Sequence, residues 1–208
     1  MAIKNIIFDL GGVLLNIDLR KTQDAFTSLG AKNIEEIFRM GHVDSFFKSY
    51  ETGAINDDEF VAAIQQKIGS EIAPPTLVDA WNALLLDFPP ERISLLKDLK
   101  KKYRLFLFSN TSALHHVQFH KLYKEEFGDS LDDLFEKAYY SHVAGLHKPD
   151  IAAYNLVLDE NNLIADETVF IDDSLANVEG ANKTGIQGLY LEPGKSILDI
   201  DFDTFTWR

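Results

Sequence analysis

Asp9, Ser109, Lys148, Asp172 and Asp173 are the residues whose types and spacing could do chemistry. Asp9 closes the apolar run Ile6-Ile7-Phe8 and is followed at once by Leu10-Gly11-Gly12-Val13. Ser109, with Asn110, closes Leu105-Phe106-Leu107-Phe108, and the acid pair Asp172-Asp173 closes Val169-Phe170-Ile171. Lys148 stands between these two, in Gly145-Leu146-His147-Lys148-Pro149-Asp150. Each has a bland alternative on its own: a turn aspartate, a cap serine, a surface amine, an acidic helix start. Together they form a chemical set. Three carboxylates at neighbouring strand ends repel one another and do not stay ionised unaided. A hard divalent cation removes the conflict, and oxygen ligands without cysteine select Mg²⁺ over zinc. Lys148 adds a positive charge, while Ser109 and backbone N–H groups add neutral donors. Such a set can hold a phosphoryl group while a carboxylate attacks phosphorus.

These residues meet only if the runs before them are adjacent strands. Short β-branched and aromatic runs closed by glycine or polar residues read as buried parallel strands, and open α/β sheets hold ligands at the carboxyl ends of such strands. Strand-like runs stop after Asn16-Ile17-Asp18, and helical periodicity takes over as far as Pro89-Pro90. Asn56-Asp57-Asp58-Glu59 predicts a capping box before Phe60, Ile64 and Ile68, with Gly69 as the stop. Thr76 starts another helix with Leu77, Ala80 and Leu84 on one face. Residues 19–88 therefore read as a helical insertion between the first and second core strands.

The strand-and-helix alternation then returns. Glu91 to Tyr103 predicts a helix with Leu95, Leu96, Leu99 and Tyr103 inward, and Lys100-Lys101-Lys102 at its solvated end. Pro149 suits the first turn of a helix after Lys148. Ser174 caps a helix to Lys183 with Leu175, Val178 and Ala181 inward and Gly185 past its end, and Gly188 to Leu191 form a last strand.

On these residues the chain resembles the haloacid dehalogenase superfamily of hydrolases, a group made up mostly of phosphatases. Phe8-Asp9-Leu10-Gly11-Gly12-Val13-Leu14 matches the first motif of that superfamily and Ser109-Asn110 the second. Lys148-Pro149-Asp150 matches the third and Asp172-Asp173-Ser174-Leu175-Ala176-Asn177 the fourth, all in order between Ile3 and Leu191. The resemblance implies an α/β fold with a Rossmann-like parallel sheet, helices on both faces and a small helical cap inserted after the first strand. The core would span residues 1–18 and 89–208, and residues 19–88 would be the cap, closing over the site and selecting substrate. It implies a Mg²⁺-dependent phosphatase acting through an aspartyl-phosphate on Asp9. The metal would be held by Asp9, the Gly11 carbonyl, Asp172 and Asp173. Ser109 and the Asn110 backbone would bind phosphoryl oxygens, and Lys148 would steady nucleophile and developing charge. His42 and Lys48, in the cap, are candidates for touching substrate.

The chain departs from the superfamily at Gly11, where most of its phosphatases carry a second aspartate as general acid. Asp18, folded back by the turn after Leu15, is the nearest substitute and a candidate substrate contact; its alternative is to cap the first insertion helix. The Leu-Gly-Gly form followed by Asn16-Ile17-Asp18 resembles the subgroup with bacterial α-D-glucose-1-phosphate phosphatases, which implies a small phosphorylated metabolite such as a sugar phosphate. A metal-free 2-haloacid dehalogenase also lacks the second aspartate, but has no need to concentrate charge at Asp172-Asp173. A mutase needs the acid–base group missing at Gly11, and a catalytically weakened phosphate-binding protein remains a further alternative. A phospho-accepting receiver domain uses similar residues, but with the acid pair first and the lysine last.

Composition narrows the classes. Twenty basic against 33 acidic residues give a net charge of −13, which argues against nucleic acid or an anionic membrane as partner. The chain has no cysteine, consistent with a reducing cytoplasm, and Lys4, Asn5 and Asp9 break the first apolar stretch, so it is neither signal peptide nor membrane span. A length of 208 residues suits one core with a modest insertion, working as a monomer or homodimer. His116 and His120 have a helical zinc spacing, but no third ligand type lies nearby and the run follows Ser109-Asn110, where the superfamily has an ordinary helix.

Overall fold

The apolar runs ending at Asp9, Ser109 and Asp172 fold as strands of one parallel sheet. The computed structural model describes residues 2–31, 46–68 and 72–207. Its sheet contains β1 (Asn5–Phe8), β2 (Arg104–Ser109), β3 (Lys137–Tyr140), β4 (Thr168–Asp172) and β5 (Gln187–Tyr190), in the order β3-β2-β1-β4-β5. Between β1 and β2 lie α1 (Leu19–Ser28), α2 (Phe46–Glu51), α3 (Asp57–Ile68), α4 (Pro74–Asn82) and α5 (Pro90–Leu99). The later helices are α6 (Ala113–Phe127), α7 (Ser141–Ala144), α8 (Ile151–Glu160) and α9 (Leu175–Asn182). Strand alternation divides the core between two faces. Phe8, Leu105, Leu107 and Ile171 pack with Leu96, Leu99, Phe119 and Tyr123 of α5 and α6. Ile7, Phe106, Phe108 and Phe170 pack with Tyr154, Val157 and Ala181 of α8 and α9. Both faces are thus covered, which is why the strands read as continuous apolar runs. The α/β sheet with helices on both faces and helices inserted after its first strand is the fold expected from the sequence.

The chain leaves the sheet after β1 and returns before α5 along two adjacent segments. Asn16 N–H donates to the Asp87 carbonyl at 2.9 Å, Leu86 N–H to Asn16 at 3.0 Å, and Asp18 N–H to Leu84 at 2.9 Å. Beyond this neck the insertion has its own apolar cluster, built from Phe26, Phe47, Tyr50, Phe60, Ile64 and Trp81 among others. The capping box forms as expected: Asn56 Oδ1 accepts from Glu59 N–H at 3.0 Å, and Glu59 Oε2 from Asn56 N–H at 2.8 Å. Trp81 and Gly53 are among the residues that seat the insertion on the core. Trp81 stacks on His115 of α6 at 4.6 Å and 5°, and its indole N–H donates to Ser112 Oγ at 3.3 Å. Gly53, at φ +70°, lies so close to α7 that a Cβ there would stand 2.4 Å from the His142 carbonyl.

Several element bounds differ from those expected. α5 ends at Leu99, because Lys100 to Lys102 must turn the chain into β2; its buried face is Ile93, Leu96 and Leu99, with Leu95 only packed against the cluster. α4 starts at Pro74, where two prolines suit a first turn, rather than at Thr76, and Leu84 lies past its end in the neck. Pro149 is not in a helix: α8 begins at Ile151 after Asp150, and the Lys148–Pro149 peptide is cis. Leu175 is 53% exposed rather than inward, since tertiary packing turns Val178 and Ala181 to the core. Gly69 lies outside the described residues.

The buried histidine at the seat predicts an acid sensitivity. Burial pushes His115 down to about 4, against the hydrogen bond its Nε2 makes to the Trp81 carbonyl, and burial with His120 and His142 pushes His116 to about 4 as well. An unfolded histidine titrates near 6.5. Between those values the unfolded chain binds more protons, so stability is full above about 6.5 and is lost as pH falls toward about 4. For fully buried His115 the loss is on the order of a few kcal/mol. Melting temperature should drop by several degrees between about pH 7 and about pH 5. The drop should shrink in His115→Phe, which keeps the stack on Trp81 and cannot be protonated. An equal drop in both proteins would clear His115 of the effect.

Candidate active site

Strand register brings the expected acids together. Asp9 follows β1 directly, and its N–H donates to the Ile171 carbonyl at 2.9 Å, placing it beside Asp172, the last residue of β4. One oxygen from each of Asp9, Asp172 and Asp173 falls within 4.8 Å of the others, with the first two acids buried and Asp173 exposed. The turn after Asp9 requires glycine: Gly12 has φ +76°, and a Cβ there would stand 2.1 Å from Asp173 Oδ2. Any side chain at that position would displace the outermost acid.

Lys148 reaches into this cluster from the loop after β3 and α7. Its Nζ donates to Asp9 Oδ1 at 2.6 Å, Asp172 Oδ2 at 2.7 Å and the Phe108 carbonyl at 2.9 Å. These partners use all three of its protons. It is 1% exposed, walled by the rings of Phe108 and Phe170 at 5.3 and 5.1 Å. Burial alone would strip its charge, but the Asp172 and Asp9 carboxylates overcome burial and hold it above the usual lysine range. Asp172 is further fixed by Ser174 N–H at 2.8 Å and by Asn177 Nδ2 at 3.1 Å. Ser174 is the N-cap residue of α9, as expected from the sequence, but its hydroxyl makes no capping bond. Burial pushes Asp9 up to about 7, opposed by Lys148 and reinforced by Asp172. Two buried carboxylates and a third at the mouth, set against one ammonium, form a site short of positive charge. Its free donors are hard oxygens, which fits a small divalent cation such as Mg²⁺.

The other expected residues fall in different places. Ser109 ends β2 and is buried beside the cluster's strands, in register with Tyr140 of β3. Asn110 was expected to act through its backbone, yet its side chain braces the lysine loop. Asn110 Oδ1 accepts from Lys148 N–H at 2.9 Å, and Nδ2 donates to the Lys148 carbonyl at 2.9 Å. A Cβ on Gly11 would meet Ile17 Cδ1 at 3.3 Å, so an apolar side chain fills the space beside the missing acid. Asp18 is the N-cap of α1, accepting from Arg20 N–H and Nε at 3.0 Å each, and the Arg20 side-chain bond holds its carboxyl below the usual range. Asp18 thus takes the helix-capping position that the sequence offered as its alternative. Lys48 pairs with Asp150 at 2.9 Å, and His42 lies outside the described residues. His116 and His120 pack against each other and Tyr140, and among the described residues the acid trio alone brings three ligand atoms into metal reach. No described helix is long and apolar enough to cross a membrane.

Two side chains that the sequence did not single out complete the surroundings. His147 Nδ1 lies 3.1 Å from Asn110 Nδ2, and its Nε2 lies 2.8 Å from Glu51 Oε2 in α2. His147 could have been noticed as the neighbour of Lys148. Glu51 carries no local signal, being distant in sequence from the loop it touches.

Residues 3–185 match the haloacid dehalogenase-like hydrolase family. The chain is 28% identical over 192 residues to D-ribitol-5-phosphate phosphatase of Bacteroides thetaiotaomicron, covering 92% of this chain and 93% of that protein. It is 31% identical over 193 residues to the sesquiterpene phosphatase astK of Aspergillus oryzae, covering 90% and 89%. Among solved structures, a haloacid dehalogenase-family enzyme from B. thetaiotaomicron in complex with magnesium and inorganic phosphate superposes with a TM-score of 0.87. The two are 34% identical, with 93% of this chain and 96% of that one covered.

Proposed function

The chain belongs to the haloacid dehalogenase-like hydrolases, and from that premise we propose that it is a Mg²⁺-dependent phosphatase of a small phosphomonoester, working through an aspartyl-phosphate. The observation that carries this reading is the buried Lys148 ammonium spanning Asp9 and Asp172 beside a third carboxylate. Lys148 engages Oδ1 of Asp9, so Oδ2 is the oxygen left to attack. Its bond to phosphorus forms as the ester P–O bond breaks and the leaving oxygen takes a proton. Water then attacks the same phosphorus, inorganic phosphate departs, and the Asp9 carboxylate is restored. Asp9, the Gly11 carbonyl, Asp172 and Asp173 would hold the Mg²⁺, which when bound supplies charge neutralisation for the phosphoryl group. Ser109 and the Asn110 N–H donate to phosphoryl oxygens, and Lys148 keeps the nucleophile aimed and stabilises charge as it develops. The relative complexed with magnesium and phosphate, and the relatives named as phosphatases, support the reading.

Residues 19–88 act in this proposal as a cap that selects the substrate. With glycine and Ile17 where most family phosphatases place an acid, and Asp18 tied to Arg20, the leaving oxygen draws its proton from solvent or from the substrate. That favours leaving groups needing little help, such as the hemiacetal oxygen of a sugar 1-phosphate. A positioned acid is worth about 10²–10⁴-fold, most on poor leaving groups.

The test is a phosphate-release screen over sugar phosphates, nucleotides, phosphoglycolate and p-nitrophenyl phosphate, with a haloacid control. Excess chelator should silence turnover, Mg²⁺ should restore it, and Ca²⁺ should substitute poorly because its longer, looser coordination misplaces the nucleophile. Full activity in chelator, or halide release from the control, would overturn the phosphatase in favour of a metal-free dehalogenase.

A further inference from the structure

Glu51, His147 and Asn110 form one directed chain from the insertion to the buried lysine. Its polarity is set at the lysine end, where Lys148 N–H can only donate. That fixes Asn110 Oδ1 toward it at 2.9 Å and turns the amide nitrogen toward the Lys148 carbonyl and His147 Nδ1, at 2.9 and 3.1 Å. The amide donates, so His147 Nδ1 accepts and the ring proton sits on Nε2. From there it donates to Glu51 Oε2 at 2.8 Å. Each link leaves the next only one orientation. The two outer members are largely shielded, with side chains 18% and 28% exposed, so solvent does not easily replace either bond. A single amide thus grips both polar backbone groups of Lys148, and a carboxylate of α2 holds that amide in place.

We infer that Glu51 and His147 are positioning residues for Lys148, coupling the seat of the insertion to the aim of the Asp9 carboxylate. The inference rests on the role proposed for Lys148 above. Lys148 reaches Asp9 and Asp172 at 2.6 and 2.7 Å, so a small shift of its loop alters both contacts at once. Chemistry that depends on near-attack geometry responds strongly to such shifts. A group acting at this remove affects the rate of the chemical step more than ground-state binding.

The experiment uses the full chain loaded with Mg²⁺ and p-nitrophenyl phosphate as probe. Glu51→Ala and His147→Ala should each lower kcat about tenfold, the scale of lost supporting hydrogen bonds, with KM changed less than about twofold. The double variant should be no worse than the poorer single, because both cut one chain. Glu51→Gln keeps an oxygen acceptor for Nε2–H and should recover most of the rate. A rise in KM without a fall in kcat, additive losses, or Gln as poor as Ala would overturn the inference in favour of plain seating of the insertion. Imidazole nitrogen NMR gives a readout independent of turnover. His147 should show one tautomer, protonated at Nε2, and Glu51→Ala should mix it with the other. If the intact protein hydrolyses no phosphate ester, the phosphatase reading fails while the NMR still decides the chain. If it does and His147 is protonated at Nδ1, the chain is wrong and the phosphatase stands.

Discussion

Asp9→Asn lowers phosphate-ester turnover by at least about 10⁴-fold, the scale seen when a nucleophile is removed, and leaves the protein folded. Asparagine nearly matches the shape of aspartate, and its amide oxygen can still accept from Lys148. It has no anionic oxygen with which to attack phosphorus. The folded state should tolerate the change well, because burial already disfavours the charge at this position and holds the carboxyl near 7. Melting temperature in the absence of metal should therefore stay level or rise. Phosphate release and thermal melts on the two proteins check both halves. More than a trace of activity surviving rigorous purification would remove Asp9 as nucleophile.

Lys148→Met separates the two parts of the lysine's work. Methionine fills a similar volume between Phe108 and Phe170 but carries no charge, leaving Asp9 and Asp172 facing each other without a counter-ion. Breaking a buried pair from one side typically costs about 3–5 kcal/mol. The metal-free variant should melt well below the parent and turn over p-nitrophenyl phosphate at least about 10²-fold more slowly. Added Mg²⁺ should raise its melting temperature more than it raises the parent's, since the cation becomes the remaining source of positive charge among the carboxylates. A variant that melts like the parent, with or without Mg²⁺, would mean that the lysine does not hold the acids together.

The parts of this site legible in the sequence are those fixed by strand ends. Ile6-Ile7-Phe8 and Val169-Phe170-Ile171 read as buried strands, and the parallel register they adopt sets Asp9 beside Asp172. Lys148 was legible as a residue type, but the way it reaches the acids was not. Pro149 was expected inside a helix, whereas the lysine must come down into the sheet, and Pro149 instead packs in the loop against Gly180. The inward side of α5 was legible at Leu96 and Leu99, but Ile93 rather than Leu95 completes it, because periodicity fixes a stripe while neighbouring elements choose its rotation. Asn110 carried two readable groups, and the side chain rather than the backbone has the partners seen here. Glu51 illustrates the limit. Its contact with His147 arises from the folding of one element onto another, and nothing in its own neighbourhood points to it.

The neck between segments 16–18 and 84–87 also bears on how such a chain can change over time. Its two sides are held by N–H to carbonyl contacts of 2.9–3.0 Å, so the sheet sees only a closed stem, whatever lies beyond it. Closure entropy grows only with the logarithm of loop length: doubling the residues beyond the stem would cost about 0.6 kcal/mol. Insertions and deletions past Asp18 and before Leu84 that spare the contacts of Trp81, Gly53 and Glu51 with the core therefore cost the strands that carry Asp9 and Asp172 little. Under the cap role proposed above, the segment beyond the stem can change length while the strand ends that carry the acids stay fixed. Glu51, like Trp81 and Gly53, limits that freedom: its bond to His147 tethers an inserted helix to the Lys148 loop, so sequence change should be slower at these positions than at their solvent-facing neighbours.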